Sequence, residues 1–274
     1  MPSRILALRR PDQCAHCGTE LTAGTRAHWD ANARAVTCLN CLVPPTRPAP
    51  TPTPAPQQPM DRGVPGASAL REHARRKHNR EQTRQAHPHI GGLLLALRDE
   101  PQHEQAFLRG ARGEAAVAGS LEARTSDGPT VLLHDRRMPR GRGNIDHLAI
   151  SPNGIFVIDA KDWKGKVSVS TPLLGKPKLL ADGRDRTKRV DGLDRQVAAV
   201  ESALGDAAQS WPIQGVFCFT KADLPMLGLG TTKIRSHLLL YRKALAKRLN
   251  ASGPFTTAQI DAMARVLAGA FPPA

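Results

Sequence analysis

The sequence of 274 residues predicts an α/β fold, a mixed β-sheet flanked by helices, with a small separate module at the amino terminus. Beyond residue 103, helical periodicities and short apolar runs follow one another in the order αβββαβαα. Four of the five cysteines lie between residues 14 and 41. A proline-rich stretch then separates this cysteine block from the longer domain.

The composition is strongly basic. Thirty-nine Lys and Arg residues against 24 Asp and Glu residues give a formal net charge of +15. This excess predicts a polyanionic partner, with nucleic acid, and DNA in particular, as the first candidate. The alternative is a general compositional bias that only makes the surface cationic.

Neither apolar stretch of the chain is long enough to act as a targeting or membrane segment. The amino-terminal MPSRILALRRPD is too short for a secretory signal, and GGLLLAL at 91–97 is far below the length of a membrane span. The expectation is therefore a cytoplasmic protein with reduced cysteines and no membrane partner.

Two CxxC pairs about twenty residues apart predict a zinc site with four thiolate ligands. A tetrahedral ion would stabilise a block that is too small to have a sufficient core of its own. The ligands would be Cys14, Cys17, Cys38 and Cys41. His16 and His28 are possible substitute ligands, and two disulfides or a redox CxxC are the competing interpretations. Cys218, within an apolar run, is expected to be buried.

These patterns divide the chain into five regions. Residues 1–44 form the zinc-ribbon-like module, and 45–67 form a proline-rich linker. Residues 68–102 carry many cations without an apolar stripe, which indicates a basic helical or disordered arm. The main α/β domain covers 103–220, and a C-terminal helical extension covers 221–274.

Within the main domain, the helix expected at 103–123 places Glu114 on its core-facing stripe. Gly110 and Gly113 would let this helix approach another element closely. The remaining elements are expected as strands at 130–134, 144–150, 155–161 and 213–219, and helices at 187–204, 236–249 and 256–270. Thr256 or Thr257 would cap the last helix.

The segment Ser151-Pro152-Asn153-Gly154 suits a type I turn and predicts a hairpin between the strands on either side. If these four residues form the loop, Ile150 faces Ile155. Pairing back along the strands then sets Asp146 opposite Asp159. Opposed side chains have Cβ atoms roughly 5 Å apart. Lys161 shares the face of Asp159 because side chains alternate along a strand.

Two opposed carboxylates repel each other unless solvent, a cation or a metal ion intervenes. Exposure fits poorly, because residues 155–158 are apolar on both faces. Lys161 balances only one charge, which leaves two alternatives: an ionic cluster without metal, or a hard divalent cation such as Mg²⁺. Glu114 favours the second alternative, since it adds a third acid on the core-facing side of a helix.

These motifs resemble the NERD, or nuclease-related, domain of the PD-(D/E)xK nuclease superfamily. The resemblance runs over roughly 104–220 and is carried by GARGE (110–114), NIDHLAISPNGIFVIDAK (144–161) and DWKGKV (162–167). It implies a restriction-endonuclease-like fold. It also implies Mg²⁺- or Mn²⁺-dependent hydrolysis of phosphodiester bonds, with DNA as the expected substrate.

The resemblance assigns the metal site to Glu114, Asp146 and Asp159, and the catalytic lysine to Lys161. Gln196, on the helix after the core strands, matches a glutamine common in such domains; the alternative is an ordinary exposed helix residue. Two positions depart from the family pattern: Asp159 stands where a glutamate is common, and Val200 where some relatives have tyrosine.

His147 is expected to point away from Asp146 and to be structural. Two further functions stay open from the sequence: a nucleic-acid-binding module whose nuclease fold no longer cuts, and a protein–protein adaptor built on the zinc module and linker.

Overall fold

The computed structural model describes residues 4–42, 59–86, 100–141, 143–172, 175–224 and 232–274. They belong to two compact units, Met1–Gln58 and Pro59–Ala274. Most of the expected linker, at 45–58, and the second part of the expected arm, at 87–99, lie outside the described residues. No helix within the described ranges is long and apolar enough to cross a membrane.

The first unit is built from short strands. Its described elements are β1 (Arg4–Ala7), β2 (Asp12–Gln13), β3 (Glu20–Leu21), β4 (Arg26–Asp30), β5 (Ala35–Cys38) and α1 (Leu39–Leu42). Strands β1, β4 and β5 form an antiparallel sheet, and β2 pairs with β3. The core of this unit is small and centres on Leu8, Cys14, Leu21, Ala27 and Val36.

The second unit alternates helices and strands. Its helices are α2 (Ala67–Ala86), α3 (Glu100–Thr125), α4 (Thr187–Leu204), α5 (Arg242–Leu249) and α6 (Thr257–Ala270), with a 3-10 turn at Gly205–Gln209. Its strands are β6 (Val131–Arg137), β7 (Asn144–Ser151), β8 (Gly154–Ser170), β9 (Lys178–Ala181), β10 (Arg184–Asp185), β11 (Ile213–Asp223), β12 (Lys233–Ile234) and β13 (His237–Tyr241).

In the described residues these strands form one eight-stranded sheet in the order β10-β9-β8-β11-β13-β12, with β7 also beside β8 and β6 beside β7. Strand β11 is parallel to both of its neighbours, β8 and β13, and the remaining pairs are antiparallel. The sheet is therefore mixed and flanked by helices, which confirms the predicted fold class.

Strand β8 organises the sheet because two strands share one of its edges. Strand β7 pairs with residues 154–158 of β8, and β9 pairs with residues 167–170. Between these ladders, residues 159–166 have no strand partner on that edge within the described chain. The opposite edge stays paired with β11. This stretch, residues 159–166, is the open edge of β8, and it contains Asp159 and Lys161.

Helices cover both faces of the sheet with aliphatic side chains. One face packs against α4 and α6, around Val190, Leu193, Ile260 and Leu267. The other face packs against α3 and α5, around Val117, Leu121, Leu245 and Leu249. Helix α6 begins at a capping box in which the Thr256 side chain accepts from the Gln259 amide, which confirms Thr256 as the cap.

The expected helix at 236–249 is wrong in its first part. His237–Tyr241 forms strand β13, parallel to β11, and the helix begins at Arg242. Residues 237–240 are buried, and an apolar run buried on both faces favours a parallel strand. The region 221–274 therefore supplies strands to the sheet as well as helices.

Arg136 joins three parts of the second unit and is fully buried. Its Nε donates to the Phe271 carbonyl at 2.6 Å, and its Nη1 and Nη2 donate to the carbonyls of Asp61 and Ala268 at 3.0 Å each. Burial lowers its pKa. The cation lies at the C-terminal end of α6, where the helix dipole favours positive charge.

Arg136→Ala is expected to lower the free energy of unfolding by about 3 kcal/mol, because carbonyl oxygens lose their donors and a cavity remains. Urea denaturation followed by tryptophan fluorescence measures this loss. Arg137→Ala is the control, since Arg137 is exposed on the same strand, and its effect should stay within about 0.5 kcal/mol. Equal losses in the two variants would contradict the structural role of Arg136.

Candidate active site

The turn at 151–154 sets the register that brings the hairpin acids together. Ile150 pairs with Ile155, as predicted, and the ladder extends back to His147 and Ile158. One step further along this register, Asp146 and Asp159 stand at the point where β7 leaves β8. There the Asp146 Oδ2 accepts a hydrogen bond of 2.8 Å from the Ala160 amide. The carboxylate thus takes the place of a strand partner.

Asp159 and Lys161 form a nearly buried ion pair. Their side chains are 11% and 13% exposed, and the Lys161 ammonium contacts Asp159 Oδ1. The same ammonium lies 3.3 Å from the Ala160 carbonyl oxygen. Lys161 thus contacts the Asp159 carboxylate and the Ala160 carbonyl. Its ammonium group places positive charge beside the acids, where the sequence predicted a metal ion.

Glu114 reaches this group because α3 passes very close to β8. A Cβ added at Gly113 would lie 2.9 Å from the Asp162 Cβ, so a side chain there would displace the helix. This confirms the close approach expected at Gly113. The position of Gly110 is open, and no close approach occurs there. The Gly66 backbone hydrogen-bonds to the Glu114 carboxylate.

The acids behave as one electrostatic group. The pKa of Glu114 is raised to about 7, chiefly by burial and then by the charges of Asp135 and Asp159, while Lys161 opposes the shift. Burial also holds the pKa of Asp146 well above its ordinary value, with Glu114 and Asp159 adding to the effect. One ammonium group therefore does not compensate the carboxylates.

Gln196 contacts the backbone of β7. Its Nε2 donates to the Asn144 carbonyl at 2.9 Å, two residues before Asp146. Its Oε1 is buried and has no hydrogen-bond partner among the described residues. Gln196 is half-buried rather than an exposed helix residue. Gln196 therefore lies beside β7, the strand that carries Asp146.

Asp135 is a buried carboxylate that the sequence analysis did not identify. Its Oδ1 accepts from the Ser68 hydroxyl at 2.6 Å and from Asn144 Nδ2 at 3.2 Å, and its Oδ2 accepts from the Ser68 amide. It therefore connects the start of α2 to β7. Asp135 has a positive φ of 46°, a conformation that aspartate tolerates better than most residues. A charged residue inside the apolar run VLLHD was the available signal.

His147 faces away from the acids, as strand alternation predicted. It is buried, and its Nδ1 lies 2.9 Å from the Nδ1 of His134 on the neighbouring strand. His134 in turn contacts Glu122 of α3. Burial lowers the pKa of both histidines. Val200 is buried in the core formed with α4, so its side chain does not reach the open edge of β8.

The acidic residues match a hard divalent cation in donor chemistry. Oxygen ligands with raised pKa values would be stabilised as anions by Mg²⁺ or Mn²⁺. Among the described residues, Glu114, Asp146 and Asp159 do not form a compact cluster of ligand atoms like that of the amino-terminal cysteines. Lys161 is already in contact with Asp159, so the ammonium group and a metal ion would compete for the same oxygens.

The amino-terminal cysteines are brought together as predicted. The sulfur atoms of Cys14, Cys17, Cys38 and Cys41 all lie within 4.8 Å of one another, and His16 and His28 are not part of this cluster. The Cys38 amide donates to Cys14 Sγ at 3.2 Å, and this backbone hydrogen bond is the main reason that the pKa of Cys14 falls to about 6. A low pKa favours the thiolate form that binds metal. The four sulfurs could hold zinc.

Cys218 is separate from this cluster. It is fully buried in the core beside α5, and burial raises its pKa to about 12. It therefore behaves as a small apolar residue, as the sequence indicated.

The family model of the nuclease-related domain, NERD, matches residues 109–220. This range contains the whole open edge of β8 and the four residues Glu114, Asp146, Asp159 and Lys161, together with Gln196. Residues 109–220 are thus a nuclease-related domain, as their motifs predicted. Among curated proteins and solved structures, none matches the chain.

The raised pKa of Glu114 has a measurable effect on stability when zinc is retained and no other divalent ion is present. The folded chain holds this proton up to about pH 7, whereas the ordinary value is 4.5. Folding stability should therefore fall as the pH rises from about 4.5 to 7. Glu114→Gln is expected to lose less stability between about pH 5 and pH 8 than the parent, by on the order of 3 kcal/mol.

Urea denaturation at each pH gives the comparison. Glu201→Gln, which alters an exposed glutamate of α4, should follow the parent. A Glu114→Gln profile that is identical to the parent profile would show that Glu114 is not desolvated.

Proposed function

We propose that this chain is a nuclease that uses Mg²⁺ or Mn²⁺ to hydrolyse phosphodiester bonds in nucleic acid, with DNA as its substrate. The observation that carries the proposal is the group of acids and one lysine at the open edge of β8, inside the region that matches the nuclease-related domain. The net charge of +15 supports a polyanionic substrate.

In this proposal Asp146 and Asp159 hold the divalent ion, and Glu114 holds a water ligand or a second ion. A bound ion would acidify water and offset negative charge on the scissile phosphate. The Lys161 ammonium would leave Asp159 and either orient the attacking water or donate to a phosphate oxygen. Gln196 positions Asp146 through the Asn144 carbonyl.

The regions outside the nuclease-related domain would increase affinity for the substrate. We assign 1–44 to a zinc-ribbon-like module, 45–67 to a linker, 68–102 to a basic arm, 103–220 to the nuclease domain and 221–274 to an extension. Within the arm, α2 has no buried residue and contains arginines and a lysine along its length. Such a helix can lie along phosphates.

Cleavage assays with linear, nicked and single-stranded DNA and with RNA test the proposal directly. The parent protein should cut DNA in Mg²⁺ or Mn²⁺. Asp159→Asn and Lys161→Ala should each lower the rate by about 100-fold or more, because each removes a group that acts on the reacting phosphate. Both variants should still bind DNA.

The control for this assay is Asp206→Asn. Asp206 is an exposed aspartate in the 3-10 turn at Gly205–Gln209, and this variant should cut like the parent. Equal cutting by Asp159→Asn and the parent would contradict the assignment.

A second candidate function is a nucleic-acid-binding module that does not cut. One observation favours it: Lys161 contacts both Asp159 and the Ala160 carbonyl, so the ammonium group already occupies oxygens that the metal needs. Strong binding without cleavage, across all four substrates and both metals, would support this function over the nuclease.

For the amino-terminal module we propose bound zinc. Metal analysis of the purified chain should give about one zinc per chain, because four thiolates complete a tetrahedral site. Cys14→Ser combined with Cys41→Ser should lose the metal. Cys218→Ala should keep it, since Cys218 lies in the core of the second unit. Zinc retained by the double variant would contradict the site.

A further inference from the structure

A cationic groove lies between α3, the middle of β8 and the carboxyl end of β11. It has a volume of about 280 Å³. Its charged lining consists of Arg109, Arg112, Asp162, Lys164, Lys221 and Arg242. Five cations thus face one carboxylate. The nuclease assignment above does not use this groove.

The single carboxylate of the groove is already neutralised. Asp162 accepts a hydrogen bond from the Thr220 hydroxyl and pairs with Lys221 at 3.1 Å. The side chains of Arg112 and Lys164 have neither a hydrogen bond nor an ion pair with any described residue, although the Lys164 charge helps to lower the pKa of Asp162. Arg242 donates only to the Ala116 carbonyl, at 3.3 Å, in the described chain. The groove therefore keeps a strong excess of positive charge that is available to an anion.

A second groove continues the first along α3. It has a volume of about 200 Å³ and shares Thr220 and Arg242 with the first groove. The α3 residues that line the two grooves are Arg109, Arg112, Ala116, Ser120 and Arg124. Their spacing of three and four residues places them on one face of the helix. At 1.5 Å per residue this stripe is about 22 Å long.

The shape and charge of these two grooves favour the backbone of a nucleic acid as the ligand. Along one strand of a duplex, phosphates follow one another every 3.4 Å of helix axis, so the stripe spans about six of them. The first groove has no aromatic residue in its lining, whereas binding of single strands commonly uses aromatic stacking. The second groove is lined by two aromatic residues: Phe219 is fully buried, and Tyr241 has its hydroxyl bonded to the Ala222 carbonyl and the Leu224 amide.

The groove lies on the α3 face of β8, where Asp162 packs against the Gly113 backbone. Side chains alternate along a strand, so Asp159 and Lys161 point to the other face of β8. The groove is therefore a binding surface separate from Asp159 and Lys161.

We propose that this groove binds the phosphate backbone of double-stranded nucleic acid, independently of base sequence. The proposal does not rest on the nuclease function. Backbone contacts of this kind fix position on the duplex without reading bases.

Fluorescence anisotropy with the full-length, zinc-containing protein and a labelled 20-base-pair duplex tests this binding. No divalent ion is added, so that cleavage does not interfere. Arg112→Ala combined with Lys164→Ala should weaken binding about tenfold or more and reduce the slope of log affinity against log salt by about 2. Circular dichroism shows whether the variants remain folded.

The matched control removes the same charge elsewhere. Lys188→Ala combined with Arg189→Ala alters two exposed cations of α4, which packs against the opposite face of the sheet. This control should bind like the parent. Equal losses in both double variants, or no loss in the groove variant, would overturn the proposal. A single strand of the same length that binds more tightly than the duplex would also overturn it.

These outcomes separate the groove from the nuclease function. Asp159→Asn should bind the duplex with the affinity of the parent, because Asp159 does not line the groove. A protein that binds through the groove and never cuts would retain this inference while losing the nuclease assignment.

Discussion

Repulsion among carboxylates at the open edge of β8 is the constraint on which the candidate site depends. Burial and neighbouring charges raise the pKa of Glu114 to about 7 and that of Asp146 well above its ordinary value. Lys161 and the Ala160 amide offset part of this repulsion. An environment that disfavours these anions would be relieved by a bound cation, and in the proposed function a divalent cation fits their oxygen atoms.

The sheet creates this environment by parting two strands. Strands β7 and β9 use the same edge of β8 and leave residues 159–166 between them. Helix α3 closes over the gap because Gly113 allows close contact with Asp162. Ser68 and Gly66, which precede the matched region 109–220, bind Asp135 and Glu114. The site therefore depends on residues outside the nuclease-related domain as well as on those inside it.

The sequence predicted the parts of this site that follow from local geometry. A four-residue turn and strand alternation were enough to place Asp146 near Asp159 and Lys161, and helical periodicity placed Glu114 towards the core. The contribution of Asp135 could not be found in this way, because its strand was expected to end at His134 and its partner Ser68 is distant in sequence. Strand β13 was missed since a short leucine run fits a buried helix and a buried strand equally well.

The central claim is that the acids at the open edge of β8 bind a divalent cation. Titration of the zinc-containing protein with Mn²⁺, followed by electron paramagnetic resonance, measures this binding directly. The account predicts saturable Mn²⁺ binding that is weakened at least tenfold in Asp146→Asn, as expected when a charged ligand is lost, and unchanged in Asp206→Asn. Mn²⁺ binding of equal affinity in Asp146→Asn and the parent, or no saturable binding in the parent, would contradict it.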